Sequence, residues 1–365
     1  QSWQRVCLME RRKKPFEISL KNQQDIDEVS LFNQADSVAY NVAAGADVIA
    51  QMRVLMEACA EKHQQFLDYK TAGAEHVDLI KQQLKDGAIA AVDGTDRLPA
   101  MTFTTTSIYA SGVAWVTSAE RGAPKITLTR TTTDEVNIQP EQVKDLDMWA
   151  LSDEMEQARD EGSWSTTFRE YQERKCARDL PDYVRTCFID GPLFTQNLMT
   201  QSLGQDLLGE MVRQDRRYIG VIKGLDGSWP LCRWAAQALD EGEVYVLCTI
   251  GQAFQQRFKK EKGGSHSAAP WMDKNAPTYV RCVYRPGQKA FAFECAVEDL
   301  AYAVALLREE ASKQLGHETP RLIGVVDAFC RHSRNSSQVK DRLLNQVRKT
   351  NRRMAEDLSD ERISR

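Results

Sequence analysis

The sequence predicts an α/β protein with a mixed-sheet core over residues 87–335, a helical N-terminal arm over 1–86 and a basic C-terminal helix over 336–365. Three observations predict this organisation. After residue 87, short apolar runs rich in β-branched and aromatic residues alternate with charged stretches of helical period. Before it, the chain is polar, with apolar residues three and four apart between Val38 and Leu67. From Lys340 to Arg353 the pattern is helical and strongly basic.

The composition narrows the class of protein. The chain has 365 residues, 42% of them apolar, which is enough to bury a sizeable core. A formal net charge of -4 gives no support to nucleic-acid binding but does not exclude it, because the position of the basic residues matters more. Nine cysteines without a C-x-x-C pair indicate free thiols in a reducing cytoplasm. No apolar run reaches the roughly 18 residues that span a bilayer, so we expect a cytoplasmic protein without a membrane partner.

The core begins with three strands in direct succession, over 88–92, 101–116 and 125–129. Helices and strands alternate after them. We predict helices over 141–178, 196–215, 230–239 and 300–315, and strands over 183–189, 218–223, 244–250, 278–284, 290–295 and 322–327. A three-strand meander followed by βα units is the element order of an RNase H-like sheet, which is therefore the predicted core.

Three of the predicted buried strands end in an aspartate: Asp93, Asp190 and Asp327. Strand ends are where α/β folds place their sites. Carboxylates that converge there repel one another, and a divalent cation relieves the repulsion. Oxygen ligands favour Mg²⁺ or Mn²⁺, and a pair of such ions stabilises the charge of a phosphoryl displacement. Asp-Gly after a strand is also a common turn, so each motif alone is ambiguous, whereas the three together favour a metal site.

The run Asp93-Gly94-Thr95 also suggests a phosphatase of the haloacid dehalogenase type. In that class the nucleophile is an aspartate two residues earlier, and this position holds Ala91. No aspartyl-phosphate can form without that carboxylate. A P-loop is absent as well, since no Gly-Lys-Ser/Thr occurs.

Several motifs resemble those of the NurA nucleases, in the same order along the chain. They are Ala-Ala-Val-Asp-Gly-Thr (90–95), a helical glutamate near 170–173, Cys-Phe-Ile-Asp-Gly-Pro-Leu (187–193), a strand ending in lysine (219–223) and a closing motif (319–328). Thr95 and Pro192 stand where the family usually has serine, and Thr319 stands where it often has tyrosine. The difference at Thr319 means that any role of that tyrosine is lost or moved.

The resemblance implies a metal-dependent DNA nuclease that works as a dimer with a HerA-type hexameric ATPase. It implies two Mn²⁺ or Mg²⁺ ions held by Asp93, Glu173, Asp190 and Asp327, with Lys223 on the scissile phosphate. Glu173 fits the family spacing better than Glu170, which a surface pair with Arg174 would explain. His332 is either a substitute ligand, a general acid or base, or a surface residue. DNA repair and anti-phage defence are both open.

Basic residues outside these motifs suggest where DNA would lie. Lys259, Lys260, Arg331 and Arg334 could contact the phosphate backbone, or they could belong to solvated faces. The alternative function is a catalytically inactive RNase H-like scaffold that docks on an ATPase or on nucleic acid. The four retained acids argue against that alternative.

Overall fold

The computed structural model describes residues 46–57 except 48 and 55, 66–67, 72–102, 107–119, 125–130, 164–225, 230–258, 268–311 and 319–335, and positions 345 and 349. The chain divides into two compact units, Gln1–Gln51 and Met52–Arg365. The described residues of the first unit are helical. The second unit contains the sheet. It also contains the described residues between 52 and 86, which the sequence assigned to the arm. The basic C-terminal helix lies outside the described residues apart from positions 345 and 349, which are helical.

Within the described residues a single mixed sheet contains nine strands in the order β1-β7-β8-β9-β6-β5-β2-β3-β4. The strands are β1 (Phe66–Leu67), β2 (Ile89–Thr102), β3 (Ser107–Thr117), β4 (Lys125–Arg130), β5 (Thr186–Asp190), β6 (Arg217–Ile222), β7 (Val244–Thr249), β8 (Tyr279–Tyr284) and β9 (Phe291–Ala296). Strands β2, β5 and β6 are parallel neighbours, and all other pairings are antiparallel. The meander β2-β3-β4 with β5 and β6 on its other side confirms the predicted RNase H-like α/β core.

Helices cover both faces of the sheet. They are α1 (Val77–Asp86), α2 (Trp164–Arg178), α3 (Gln196–Met199), α4 (Ser202–Arg213), α5 (Pro230–Ala238), α6 (Ile250–Phe258), α7 (Ala268–Asn275), α8 (Leu300–Glu310) and α9 (Arg321–Asn335). Successive side chains of a strand point to opposite faces, so alternate residues of β2 enter two separate cores. Ala90 and Val92 join α2, α3, α4, α6 and α7 on what we call the first face. Ile89 and Ala91 join α1, α8 and α9 on the second face.

Two predicted strands are corrected by the structure. Strand β2 does not end at Asp93 but continues to Thr102 with a register shift between Thr95 and Leu98, so the predicted strand 101–116 is divided between β2 and β3. Residues 322–327, predicted as the last strand, form the first half of α9. The reason is the period of burial in α9: Leu322, Ile323, Val326 and Cys330 are buried, whereas Val325 is 48% exposed. That is the one-sided spacing of a helix.

Residues 66–67 are a further difference. They fall inside the helical pattern predicted for the arm, but they form β1 and pair with Val244 and Tyr245 of β7. Among the described residues no helix combines the length and the apolar character that crossing a membrane requires.

Candidate metal centre

Two of the predicted acids meet because of strand register. Val92 of β2 lies beside Ile189 of the parallel strand β5, so Asp93 and Asp190 follow side by side and point to the second face. Asp190 in turn lies beside Val221 of β6, and Lys223 comes two residues after Val221. The C-terminal ends of β5 and β6 and the neighbouring position within β2 therefore bring two carboxylates and one ammonium together.

The third acid comes from a helix. Asp327 lies on α9, which packs on β2 and β3 and buries Ile323 and Val326 in the second core. Cys330, one turn further, donates a hydrogen bond from its Sγ to the carbonyl of Asp93 at 3.4 Å. As a result, Asp93, Asp190 and Asp327 each offer a carboxylate oxygen within 4.8 Å of the others, the one such group that could hold a metal among the described residues. We call these three residues the acidic triad.

Two cations touch the triad. The Lys223 Nζ lies 2.6 Å from Asp190 Oδ2 and donates to Asp327 Oδ2 at 2.9 Å. Arg331, one turn after Asp327 on α9, donates from Nε to Oδ1 at 2.9 Å and from Nη2 to Oδ2 at 2.7 Å. Arg331 was predicted to contact DNA, and the structure places it on Asp327 with 72% of its side chain exposed.

Glu173, the fourth predicted ligand, lies beside the acidic triad rather than in it. It is buried on α2 at the first face, and one carboxylate oxygen accepts a hydrogen bond from Arg174. The other oxygen, Oε1, has no hydrogen-bond partner in the described structure, and Arg169 Nη1 lies 3.5 Å from it. A Cβ on Gly94 would lie 2.6 Å from Oε1, so the glycine after Asp93 is what allows Glu173 to come this close to the triad.

Glu170 has a different role from the surface pair that the sequence suggested. Its Oε2 accepts hydrogen bonds from the Thr195 hydroxyl at 2.6 Å and from Asn197 Nδ2 at 3.3 Å. Arg174, the expected partner of Glu170 in that surface pair, is buried and donates to the carbonyls of Pro192 and Leu193. Both side chains therefore tie α2 to the loop that follows Asp190.

A buried ion pair also binds the backbone of this loop. Glu294 of β9 accepts from the backbone N–H of Leu193 at 2.7 Å and of Phe194 at 3.4 Å, and it pairs with Arg281. Gly191 has a φ of 108°, a conformation that favours glycine. The loop that carries the chain away from Asp190 is thus fixed by hydrogen bonds from α2 and β9. Sequence reasoning missed Glu294 and Arg281, which are far from the loop along the chain.

The electrostatics of the triad follow from crowding of like charges in a buried place. Burial raises the pKa of Asp93 to about 8, with further contributions from the negative charges of Asp190 and Glu173. Burial also raises the pKa of Asp190 and of Glu173, although Lys223 opposes the shift at Asp190 and Arg169 opposes it at Glu173.

Asp327 and Lys223 behave in the opposite way. Burial acts to raise the pKa of Asp327, but Lys223 and Arg331 outweigh it and the pKa is lowered. Burial acts to lower the pKa of Lys223, yet Asp190 and Asp327 keep it above its usual range. The site therefore holds an ionised Asp327 beside an ammonium, and an Asp93 that keeps its proton at neutral pH unless a cation replaces it.

A cleft of about 240 Å³ opens beside Asp190 and Lys223. It is lined by Arg169, Glu170, Glu173, Arg174, Asp190, Gly191, Pro192, Thr195, Ile222, Lys223 and Gly224. Arg169, a cation that the sequence analysis did not select, is 27% exposed there. Of the other predicted residues, Lys259 and Lys260 lie outside the described residues, and His332 and Arg334 are described only as positions in α9.

Comparison with known proteins gives structural neighbours only. No protein-family model matches the chain, and no curated protein matches it. The structure is similar to that of the NurA nuclease from Sulfolobus solfataricus, with a TM-score of 0.42 and 10% identity over 76% of this chain and 93% of that one. A structure of NurA with manganese has a TM-score of 0.36 and 8% identity over 75% of this chain and 98% of that one. Endonuclease V from Bacillus subtilis has a TM-score of 0.34 and 12% identity over 68% of this chain and 81% of that one.

NurA, whose motifs the sequence resembles, is therefore among the solved structures to which this chain is similar. At these TM-scores the likeness does not define a function, which has to come from the chemistry of the acidic triad.

Proposed function

We propose that this chain is a metal-dependent deoxyribonuclease whose active centre is the acidic triad with Glu173. The observation that carries the proposal is the convergence of Asp93, Asp190 and Asp327 from three distant segments to within 4.8 Å. Three buried or half-buried carboxylates at this separation repel one another, and each costs free energy unless a cation binds them. Such an arrangement is difficult to explain as a purely structural one.

The donor atoms fit a divalent ion. All of them are carboxylate oxygens, which suit Mg²⁺ and Mn²⁺. Glu173 Oε1, beside the triad, is a buried oxygen that accepts no hydrogen bond and has the Arg169 guanidinium 3.5 Å away, so it would be available as a further ligand. We propose that the four carboxylates hold two ions. When bound, such ions supply Lewis-acid chemistry, helping to form an attacking hydroxide and offsetting charge on the attacking and leaving oxygens.

The remaining residues of the centre would position the substrate. Lys223 carries its ammonium to the triad and would bind a phosphate oxygen of the scissile group. Arg169, which also lines the cleft, would add a second positive charge for the DNA backbone. The loop 191–195 fixes the direction of Asp190, because Arg174 and Glu294 bind its backbone.

The sequence resemblance supports finer proposals. We propose DNA as the substrate, cut at or from its ends, by a cytoplasmic homodimer that is coupled to a HerA-type hexameric ATPase in DNA repair or anti-phage defence. The non-catalytic scaffold remains the competing function. It would be favoured by a missing acid, and all four are present.

The experiment is cleavage of end-labelled linear duplex DNA in buffers containing Mn²⁺, Mg²⁺ or EDTA. Wild-type protein should cut with Mn²⁺ or Mg²⁺ and not with EDTA, and Asp190→Asn should lose activity. Asp206→Asn, an exposed acid on α4, is the matched control and should cut normally. Equal activity of Asp190→Asn and wild type would exclude the triad, and inactive wild-type protein that still binds DNA would favour the scaffold. Adding a co-expressed HerA-type ATPase tests the coupling, and size-exclusion chromatography with light scattering tests the dimer.

A further inference from the structure

Lys223 stands between two of the three carboxylates that would bind the metal. Its Nζ lies 2.6 Å from Asp190 Oδ2 and 2.9 Å from Asp327 Oδ2. The ammonium thus bridges acids that come from β5 and α9, and it provides the positive charge that holds them together.

An ion bridging the same two oxygens would compete for that space. Mg²⁺ binds oxygens at about 2.1 Å, so an ion held by both Asp190 and Asp327 would need space that the Nζ now occupies. Two cations in contact would also repel one another. Arg331 differs, because it approaches Asp327 alone and is largely exposed, so it does not lie between the acids.

The cleft beside Lys223 offers space for the displaced ammonium. Lys223 is 27% exposed and lines the cleft together with Arg169. The charged side chains of the cleft are three bases (Arg169, Arg174, Lys223) and three acids (Glu170, Glu173, Asp190). The formal charges of these lining residues cancel, and a divalent ion bound at the neighbouring triad would make the electrostatic potential in the cleft more positive. A DNA phosphate is the anion that this cleft would then attract.

We infer that Lys223 changes partner when the metal binds: it is the counter-ion of Asp190 and Asp327 in the metal-free protein and a ligand of DNA phosphate in the metal-loaded protein. The inference rests on the proposed function, since it requires a metal at these acids. It adds that metal and DNA bind cooperatively through one residue. By linkage, the factor by which metal tightens DNA binding equals the factor by which DNA tightens metal binding.

The first test measures Mn²⁺ binding by titration calorimetry in the absence of DNA. Lys223→Met removes the competing ammonium and should tighten Mn²⁺ binding roughly tenfold. The reason is that wild type must break a hydrogen bond between the ammonium and a carboxylate before the ion binds, and the variant has none to break. Lys274→Met removes an exposed cation of α7, a helix that contributes no residue to the cleft or the triad, so it should change the affinity by less than about threefold. If Lys223→Met binds Mn²⁺ no more tightly than wild type, or if both variants gain equally, Lys223 does not occupy the metal position.

The second test measures binding of a fluorescent linear duplex by anisotropy, with Ca²⁺ replacing Mn²⁺ to slow cleavage. Each phosphate contact contributes about 0.9 to the slope of log affinity against log salt concentration. Lys223→Met should lower the slope by about that amount in the Ca²⁺-loaded protein and leave it unchanged in EDTA. A slope lowered equally in both states, or in neither, overturns the exchange of partners. Wild-type protein that binds neither ion would refute the proposed function as well, whereas metal binding without an effect of Lys223 refutes this inference alone.

Discussion

Replacing Asp93 with asparagine should stabilise the metal-free protein while destroying its metal site. The pKa of Asp93 is raised from its ordinary value of 3.8 to about 8, chiefly by burial and then by the neighbouring acids. Between these two values the folded protein holds a proton that the unfolded chain releases, so stability falls as the pH rises from about 4 to 8. At pH 7 the interval above 3.8 is about three pH units at about 1.36 kcal/mol each, which amounts to about 4 kcal/mol. Asparagine is neutral and nearly isosteric, so it avoids this cost.

The assay is urea denaturation at pH 7, in EDTA and in Mn²⁺. In EDTA, Asp93→Asn should raise the free energy of unfolding by up to about 4 kcal/mol. In Mn²⁺ at a hundred times the dissociation constant, wild type should gain about 2.7 kcal/mol and the variant should gain almost nothing. Asp206→Asn, the exposed control, should stay within about 0.5 kcal/mol of wild type in both buffers. A less stable Asp93→Asn in EDTA, or one that keeps its Mn²⁺ gain, would refute the reasoning.

Three further predictions follow from the same geometry. The Mn²⁺ affinity of wild type should fall about tenfold for each pH unit below 8, because a proton competes with the ion at Asp93. Calorimetry at pH 6, 7 and 8 measures this affinity, and an affinity that does not change with pH would contradict the prediction. Glu173→Gln should remove most cleavage at saturating Mn²⁺ while Glu170→Gln keeps most of it, since Glu170 binds Thr195 rather than the triad; the reverse result would move the ligand by one helical turn. Gly94→Ala should lower the melting temperature and slow cleavage, because the new Cβ would lie 2.6 Å from Glu173 Oε1, and unchanged rates would show that Glu173 does not depend on that contact.

The sequence predicted the parts of the site that depend on local pattern. Asp93 and Asp190 each follow an apolar run, and two parallel runs of this kind meet at one sheet edge. Asp327 was predicted on a strand and lies on a helix, because Leu322-Ile323-Gly324-Val325-Val326 is an apolar run too short to distinguish the two by its period. The apolar segment 322–326 nevertheless indicated that Asp327 lies next to the core.

Other parts of the site depend on contacts between distant segments. Glu294 binds the backbone N–H of Leu193, 101 residues away, and no spacing in the sequence signals such a contact. Arg174 looked like an exposed helical cation, and only the packing of α2 shows it buried against the Pro192 carbonyl. The pairing of Arg331 with Asp327 was available from the sequence, since residues four apart on a helix are neighbours, but the strand assigned to 322–327 concealed it.

The most direct test of the acidic triad is anomalous diffraction at the manganese edge from crystals soaked in Mn²⁺. We predict a strong peak among the carboxylates of Asp93, Asp190 and Asp327, with the Lys223 ammonium moved away from the position between Asp190 and Asp327. Absence of a peak at these carboxylates at saturating Mn²⁺, with Lys223 still bridging Asp190 and Asp327, would contradict the metal centre.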